Sequence, residues 1–139
     1  MCIAISVLDL SWRDDITDTE HGVFMVAAGV SIYLHESDIK SLFSSLADGL
    51  PGAEIAFNTQ SRLVKLRSNW VMWRMGMKAT KWALKDARTI TKWDTRIKVL
   101  DLFPLFKDIS RDPARGRSVA RWMNLFDRRG SMNVVHLRV

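Results

Sequence analysis

An α/β fold with a mostly parallel sheet is the class this sequence predicts, as a single domain over residues 1–139. Three observations carry that expectation. Segments that read as strands alternate with segments that read as helices, the pattern of βαβ units. The run Val23-Phe24-Met25-Val26-Ala27-Ala28 is apolar without alternation, as in a strand buried on both faces. After it, Ile39, Leu42, Phe43, Leu46 and Leu50 recur at helical spacing and define one helix face.

Taken in order, Ile3-Ala4-Ile5-Ser6-Val7-Leu8 is rich in β-branched residues and reads as a short strand. It begins almost at Met1 without a lead-in, a first sign of a missing N-terminal portion. The acid-rich stretch from Asp9 to Glu20 reads as loop with room for one short helix. Val23–Ala28 is the second strand and ends at Gly29. A helix from about Glu36 to Asp48 follows. Its acids Glu36 and Asp38 sit where the helix dipole favours them, and Gly49 and Pro51-Gly52 stop it. Ala53–Phe57 reads as another buried strand, ending at Asn58. Gln60 to Lys85 reads as mostly helical, with Gly76 as a break and a short helical turn starting at Asp86. Ile97–Leu102 alternates at first, as a strand nearer an edge does. Asp112-Pro113 starts a helix that carries Val119, Trp122, Met123 and Phe126 on one face and ends near Gly130. Met132–Val139 is the final strand.

Composition narrows the function classes. About 47% of the residues are apolar and 26% charged, which excludes a disordered polyelectrolyte and a fibrous repeat. The net charge is +6. With Cys2 as the one cysteine, neither an internal disulfide nor a cysteine zinc cluster can form, and a cytoplasmic setting is expected. No signal peptide is visible. The uncharged stretch Gly22–Leu34 is shorter than the roughly 20 residues of a membrane helix.

Gly-rich phosphate loops, a Walker-type lysine motif and a Gly-x-Ser-x-Gly elbow do not occur. His21, His35 and His136 lack metal-ligand spacing, so no metal site is expected. Four features stand out. Asp9 follows the first strand, at the sheet end where open α/β folds bind ligands; it either accepts hydrogen bonds from a ligand or caps a turn. Ala28 and Gly29 occupy the same edge, as does Asn58; the glycine either admits a close approach or simply supplies a positive φ. Tyr33, just past that edge, either orients a substrate or packs against the following helix. From Arg62 to Arg96 the chain carries ten Lys/Arg and two acids, interleaved with Trp70, Trp73, Trp82 and Trp93. The ordinary reading is a solvated basic face with a buried aromatic face. The functional one is a basic surface for a membrane or nucleic acid.

The run Val23-Phe24-Met25-Val26-Ala27-Ala28-Gly29-Val30-Ser31-Ile32-Tyr33-Leu34, with Pro51-Gly52-Ala53-Glu54-Ile55-Ala56-Phe57-Asn58, resembles the leucine carboxyl methyltransferase family, more closely its bacterial polyketide-type O-methyltransferase branch. Ser6-Val7-Leu8-Asp9-Leu10-Ser11-Trp12 resembles that branch's preceding segment. Trp82, Asp86, Trp93 and Val134-Val135-His136-Leu137-Arg138 fit its later pattern less specifically. The resemblance covers nearly the whole chain and only the C-terminal part of such enzymes. It implies a partial Rossmann-like class I methyltransferase fold with strand order 3-2-1-4-5-7-6, a C-terminal antiparallel strand, and the first two strands lacking. It implies S-adenosylmethionine as cofactor and a small-molecule methyl acceptor. By the resemblance, Asp9 hydrogen-bonds the adenine amine, Leu10, Ala28 and Gly29 line the cofactor, and Tyr33 sits near the acceptor pocket. Ala28 and Asn58 stand where the family usually has acids. The Gly-rich loop that holds the methionine part is absent, so the chain is expected to be inactive alone or to need a partner chain.

Without the first strand, the edge of Val23–Ala28 is exposed and apolar, and such edges pair. Either Ile3–Leu8 shifts inward to cover it, or a second copy or partner chain does. Nucleic acid is not expected as a partner of this methyltransferase-like chain. A different class of function stands beside it: a non-catalytic module using the Trp-rich 62–96 segment for an acidic partner, nucleic acid or anionic membrane surface.

Overall fold

The structure, a computed structural model, describes residues 5–17, 19–109 and 116–139. Its elements are β1 (Phe24–Ala27), α1 (Glu36–Gly49), β2 (Glu54–Gln60), α2 (Arg62–Arg74), β3 (Lys98–Pro104), α3 (Arg117–Arg128) and β4 (Met132–Arg138). The strands form a four-stranded sheet in the order β1-β2-β4-β3. β1 and β2 are parallel, joined through α1. β4 inserts antiparallel between β2 and β3.

The core lies between one sheet face and α1. Ile39, Phe43 and Leu46, one turn apart on α1, meet Ile55 and Phe57 of β2 and Val135 and Leu137 of β4. The helical period and the strand period of two put each set on one side. Phe43 and Phe57 meet at a centroid distance of 5.4 Å, and Trp82 and Trp93 extend the aromatic cluster. Arg13 closes the top of α1 by donating to the Ser45 carbonyl at 2.9 Å.

Five expectations need correction. The strand Ile3–Leu8 does not form over its described part. Ser6 to Asp9 is a turn, with the Asp9 N–H donating to the Ser6 carbonyl at 3.0 Å, and a 3₁₀ helix follows over Leu10–Asp15; Ile3 and Ala4 lie outside the described residues. The sheet is therefore not mostly parallel: one ladder is parallel and two are antiparallel. Over its described part, Ile5–Leu8, the segment does not shift inward to pair with β1, and the outer edge of β1 has no strand partner among the described residues. β1 is not buried on both faces. Phe24 and Val26 are exposed because alternate side chains point away from the face that packs on the core, while Met25 and Ala27 face it. Finally, the helix predicted over Gln60–Lys85 stops at Arg74, and Gly76 takes a φ of +67°.

Residues 77–85 form neither helix nor strand, because tertiary hydrogen bonds outcompete helix. The Ile32 carbonyl accepts from the N–H groups of Lys81 and Trp82, and the Gln60 carbonyl from Leu84. The Gln60 side chain donates to the Trp82 carbonyl at 3.0 Å. The Asn69 amide brackets Thr80. This pins Trp82 into the core, where its indole N–H has no partner in the structure. The helix start expected at Asp112-Pro113 lies outside the described residues. The edge position predicted for Ile97–Leu102 is where β3 sits.

Candidate functional site

The C-terminal ends of the parallel pair β1 and β2 lie side by side, which brings Ala28, Gly29 and Asn58 together. Asn58 accepts from the Gly29 N–H through its side-chain oxygen at 2.5 Å. Its carbonyl accepts from the Ser31 hydroxyl at 2.8 Å. Gly29 adopts a φ of +72°, the left-handed region a side chain disfavours, and an added Cβ would meet open space. The glycine thus serves the turn, and nothing presses on it. Asn58, standing where an acid was expected, uses its amide to tie the two strand ends. Tyr33 closes the short 3₁₀ turn Ser31–Tyr33, exposed at the rim.

Asp9 and Leu10 reach the structure from a different direction. Asp9 caps the 3₁₀ helix that follows it, accepting from the Ser11 N–H at 3.2 Å. The Ser11 hydrogen bonds hold its carboxyl below the usual carboxylate value. Leu10 lies against α1, with Asp38, Ser41, Leu42 and Ser45. The residues just before it, Ile5 and Val7, join Val26, Val30 and Leu34 around an apolar hollow of about 370 Å³ beside β1. That hollow was not legible in the sequence, because it depends on how the N-terminal segment lies over α1.

A second polar cluster sits at the opposite end of the strands. Glu54, first in β2, lies opposite Arg138 and diagonal to His136, two residues along β4 on the same face. Its carboxylate accepts from His136 Nε2 at 2.7 Å and from Arg138 Nη2 at 2.5 Å. The Arg138 hydrogen bond first, then that of His136, holds the Glu54 carboxyl below its ordinary value. Phe24 meets the His136 ring edge-on at 5.6 Å. Sequence inspection missed this cluster, since only the strand register brings its members together.

A pH dependence follows. A carboxyl whose folded value is depressed stabilises the fold above the ordinary carboxylate range, and that contribution is lost as acid lowers the pH through the depressed value. The urea midpoint of the native chain should fall from about pH 5 downward, and that of Glu54→Gln should fall less over the same window. Equal slopes for the two proteins would show that the cluster contributes nothing to folding.

Among the described residues, no group of three or more His, Cys, Asp and Glu side chains is placed to hold a metal ion. No helix among them is long and apolar enough to cross a membrane.

No family model matches the chain, and no curated protein matches it. Among solved structures, the crystal structure of a DUF574 family protein from Streptomyces avermitilis shares its fold, with a TM-score of 0.60 at 11% sequence identity. The match covers 96% of this chain and 53% of that one, so the chain spans about half that protein's length. At this identity the likeness is one of fold. The class defined is a mixed α/β protein with a four-stranded sheet, the fold it shares with that structure.

Proposed function

We propose that these residues form the C-terminal portion of an S-adenosylmethionine-dependent O-methyltransferase fold, whose site is complete only with the first strands of that fold. The observation that carries the reading is the strand order β1-β2-β4-β3 with an inserted antiparallel β4. In the family order these are the fourth, fifth, seventh and sixth strands, and β1's free edge is the place of the first. The fold likeness to one half of the Streptomyces protein supports the same assignment.

The residues present fit the adenine end of the cofactor and not its amino-acid end. Asp9 keeps an ionised carboxylate beside the chain turn, able to accept from an exocyclic amine. Gly29 leaves open space at the strand edge. Leu10, against α1, and Ala28, before Gly29 at the strand end, would each add apolar contact from its own side. The Gly-rich loop that would hold the amino-acid end does not occur in the sequence. The cofactor would supply the methyl group. Tyr33, at the rim, would face the acceptor, a small molecule presenting a carboxylate or hydroxyl oxygen. The chain alone would hold the adenine weakly and leave the sulfonium unpositioned, and positioning supplies much of the rate in such transfers.

The test is amide chemical-shift mapping of the chain with millimolar S-adenosylhomocysteine. Shifts gathered at Asp9, Leu10, Ala28 and Gly29 are expected, with weak affinity. Shifts elsewhere, or none, would remove the cofactor reading from these residues.

A further inference from the structure

None of the thirteen residues of α2 is buried, although seven of them are large and apolar. Four fall on one line: Leu63, Leu66, Trp70 and Trp73 follow at intervals of three, four and three, one helix face. They are 68%, 72%, 58% and 76% exposed. A satisfied surface helix turns such a stripe inward. Here it is a ridge pointing into solvent.

The flanks of the ridge are cationic on both sides. Arg62 and Lys65 lie on one side, Arg67 and Arg74 on the other, and α2 contains no acid. Arg74 stacks over Trp70 at 5.2 Å, and Arg67 over Trp122 of α3 at 5.7 Å. A shallow groove of about 290 Å³ between the two helices continues the apolar surface from Leu63 and Val71 to Trp122 and Leu125. Arg62 and Lys65 also stand in the first turn, where the helix dipole disfavours cations.

We propose that α2 lies flat on an anionic lipid surface, with the Leu63–Trp73 ridge in the headgroup boundary and its flanking cations on lipid phosphates. Charge complementarity selects the occupant. A second copy would bring cation against cation along both flanks, whereas anionic lipid relieves all four charges and the unfavourable first turn together. The ridge itself projects from the surface and enters a fluid interface without a matching groove. Trp and Leu beside Lys and Arg are residue types that interfacial helices use, with apolar side chains buried roughly 5–10 Å into the boundary. This contact uses a different surface from the cofactor edge and stands independently of it.

The experiment is partitioning of the whole chain onto vesicles of phosphatidylglycerol and phosphatidylcholine, followed by tryptophan emission. Binding to the anionic vesicles with a blue shift is expected, weakening as salt rises, with little binding to pure phosphatidylcholine. Acyl-brominated lipid should quench part of the emission, since Trp82 and Trp93 stay in the core. That readout needs no variant. The double variant Trp70→Ser, Trp73→Ser should lose at least about tenfold in partitioning while keeping its circular dichroism. No partitioning at low salt would overturn the proposal. So would binding without quenching, or binding that the double variant retains. Preference for a glutamate-rich amphipathic peptide over the vesicles would replace lipid with a protein partner.

Discussion

Replacing Phe57 with alanine should cost about 3–5 kcal/mol of folding stability. Phe57 is 2% exposed at the middle of β2, the strand that joins the parallel and antiparallel parts of the sheet. Its ring touches Phe43 of α1 at 5.4 Å and Trp82 at 6.1 Å, so one truncation opens three elements to each other. The surrounding rings are held by separate segments and cannot all collapse into the space. Domains of this size have total stabilities of about 5–15 kcal/mol. The variant should therefore show a strongly lowered urea midpoint and a partly unfolded population at 37 °C. A loss below about 1 kcal/mol would mean that the core between α1 and β2 is not packed as described.

The second large effect is expected at Asn69, a helix residue with no apparent role in the sequence. Its side-chain oxygen accepts from the Thr80 N–H at 2.7 Å and from the Thr80 hydroxyl at 2.8 Å. Its amide nitrogen donates to the Thr80 carbonyl at 2.9 Å. Thr80 is buried, so Asn69→Ala leaves its backbone groups without partners and water. Each buried orphan costs about 1–3 kcal/mol, and a total near 2–4 kcal/mol is expected. The damage should be local first. α2 buries none of its own side chains, so this clamp, the Ser61 cap and the Lys65 bond to the Lys81 carbonyl hold it in place. Amide exchange should accelerate across Arg62–Arg74 and Lys81–Leu84 before the sheet responds. Unchanged exchange in both segments would show that the clamp holds nothing.

These two residues mark what the sequence disclosed and what it withheld. Phe57 was legible as a core position because a short apolar run after a helix has few other uses. The face of α1 was legible because its period is strong, and Gly76 because a glycine in a helical pattern is a natural stop. Asn69 was not legible. Its importance comes from a segment eleven residues away that abandons helix for bonds to Ile32 and Gln60. The four tryptophans of the basic segment looked alike in composition, yet Trp82 and Trp93 pack in the core while Trp70 and Trp73 stand in solvent. Only the end of α2 at Arg74 separates them. At the site, the Gly29 turn was readable from one residue, but the bond from Gly29 to Asn58 needed the parallel register. The open edge of β1 was anticipated, while the turn at Ser6–Asp9 was not, since β-branched content alone does not supply a neighbouring strand.

The insertion of β4 between β2 and β3 has a kinetic consequence. Glu54 and Arg138, paired across the ladder, are separated by 84 positions. Among the described strands, until residues 132–138 arrive, β2 has only β1 beside it and β3 has no strand to pair with. The local unit of β1, α1 and β2 can assemble early, because its contacts span short stretches of chain. The remainder must wait for one distant closure, whose entropic cost precedes any gain from pairing. Such a topology places the sheet-closing step late, and leaves the apolar side of β2 without its β4 cover through most of the folding time.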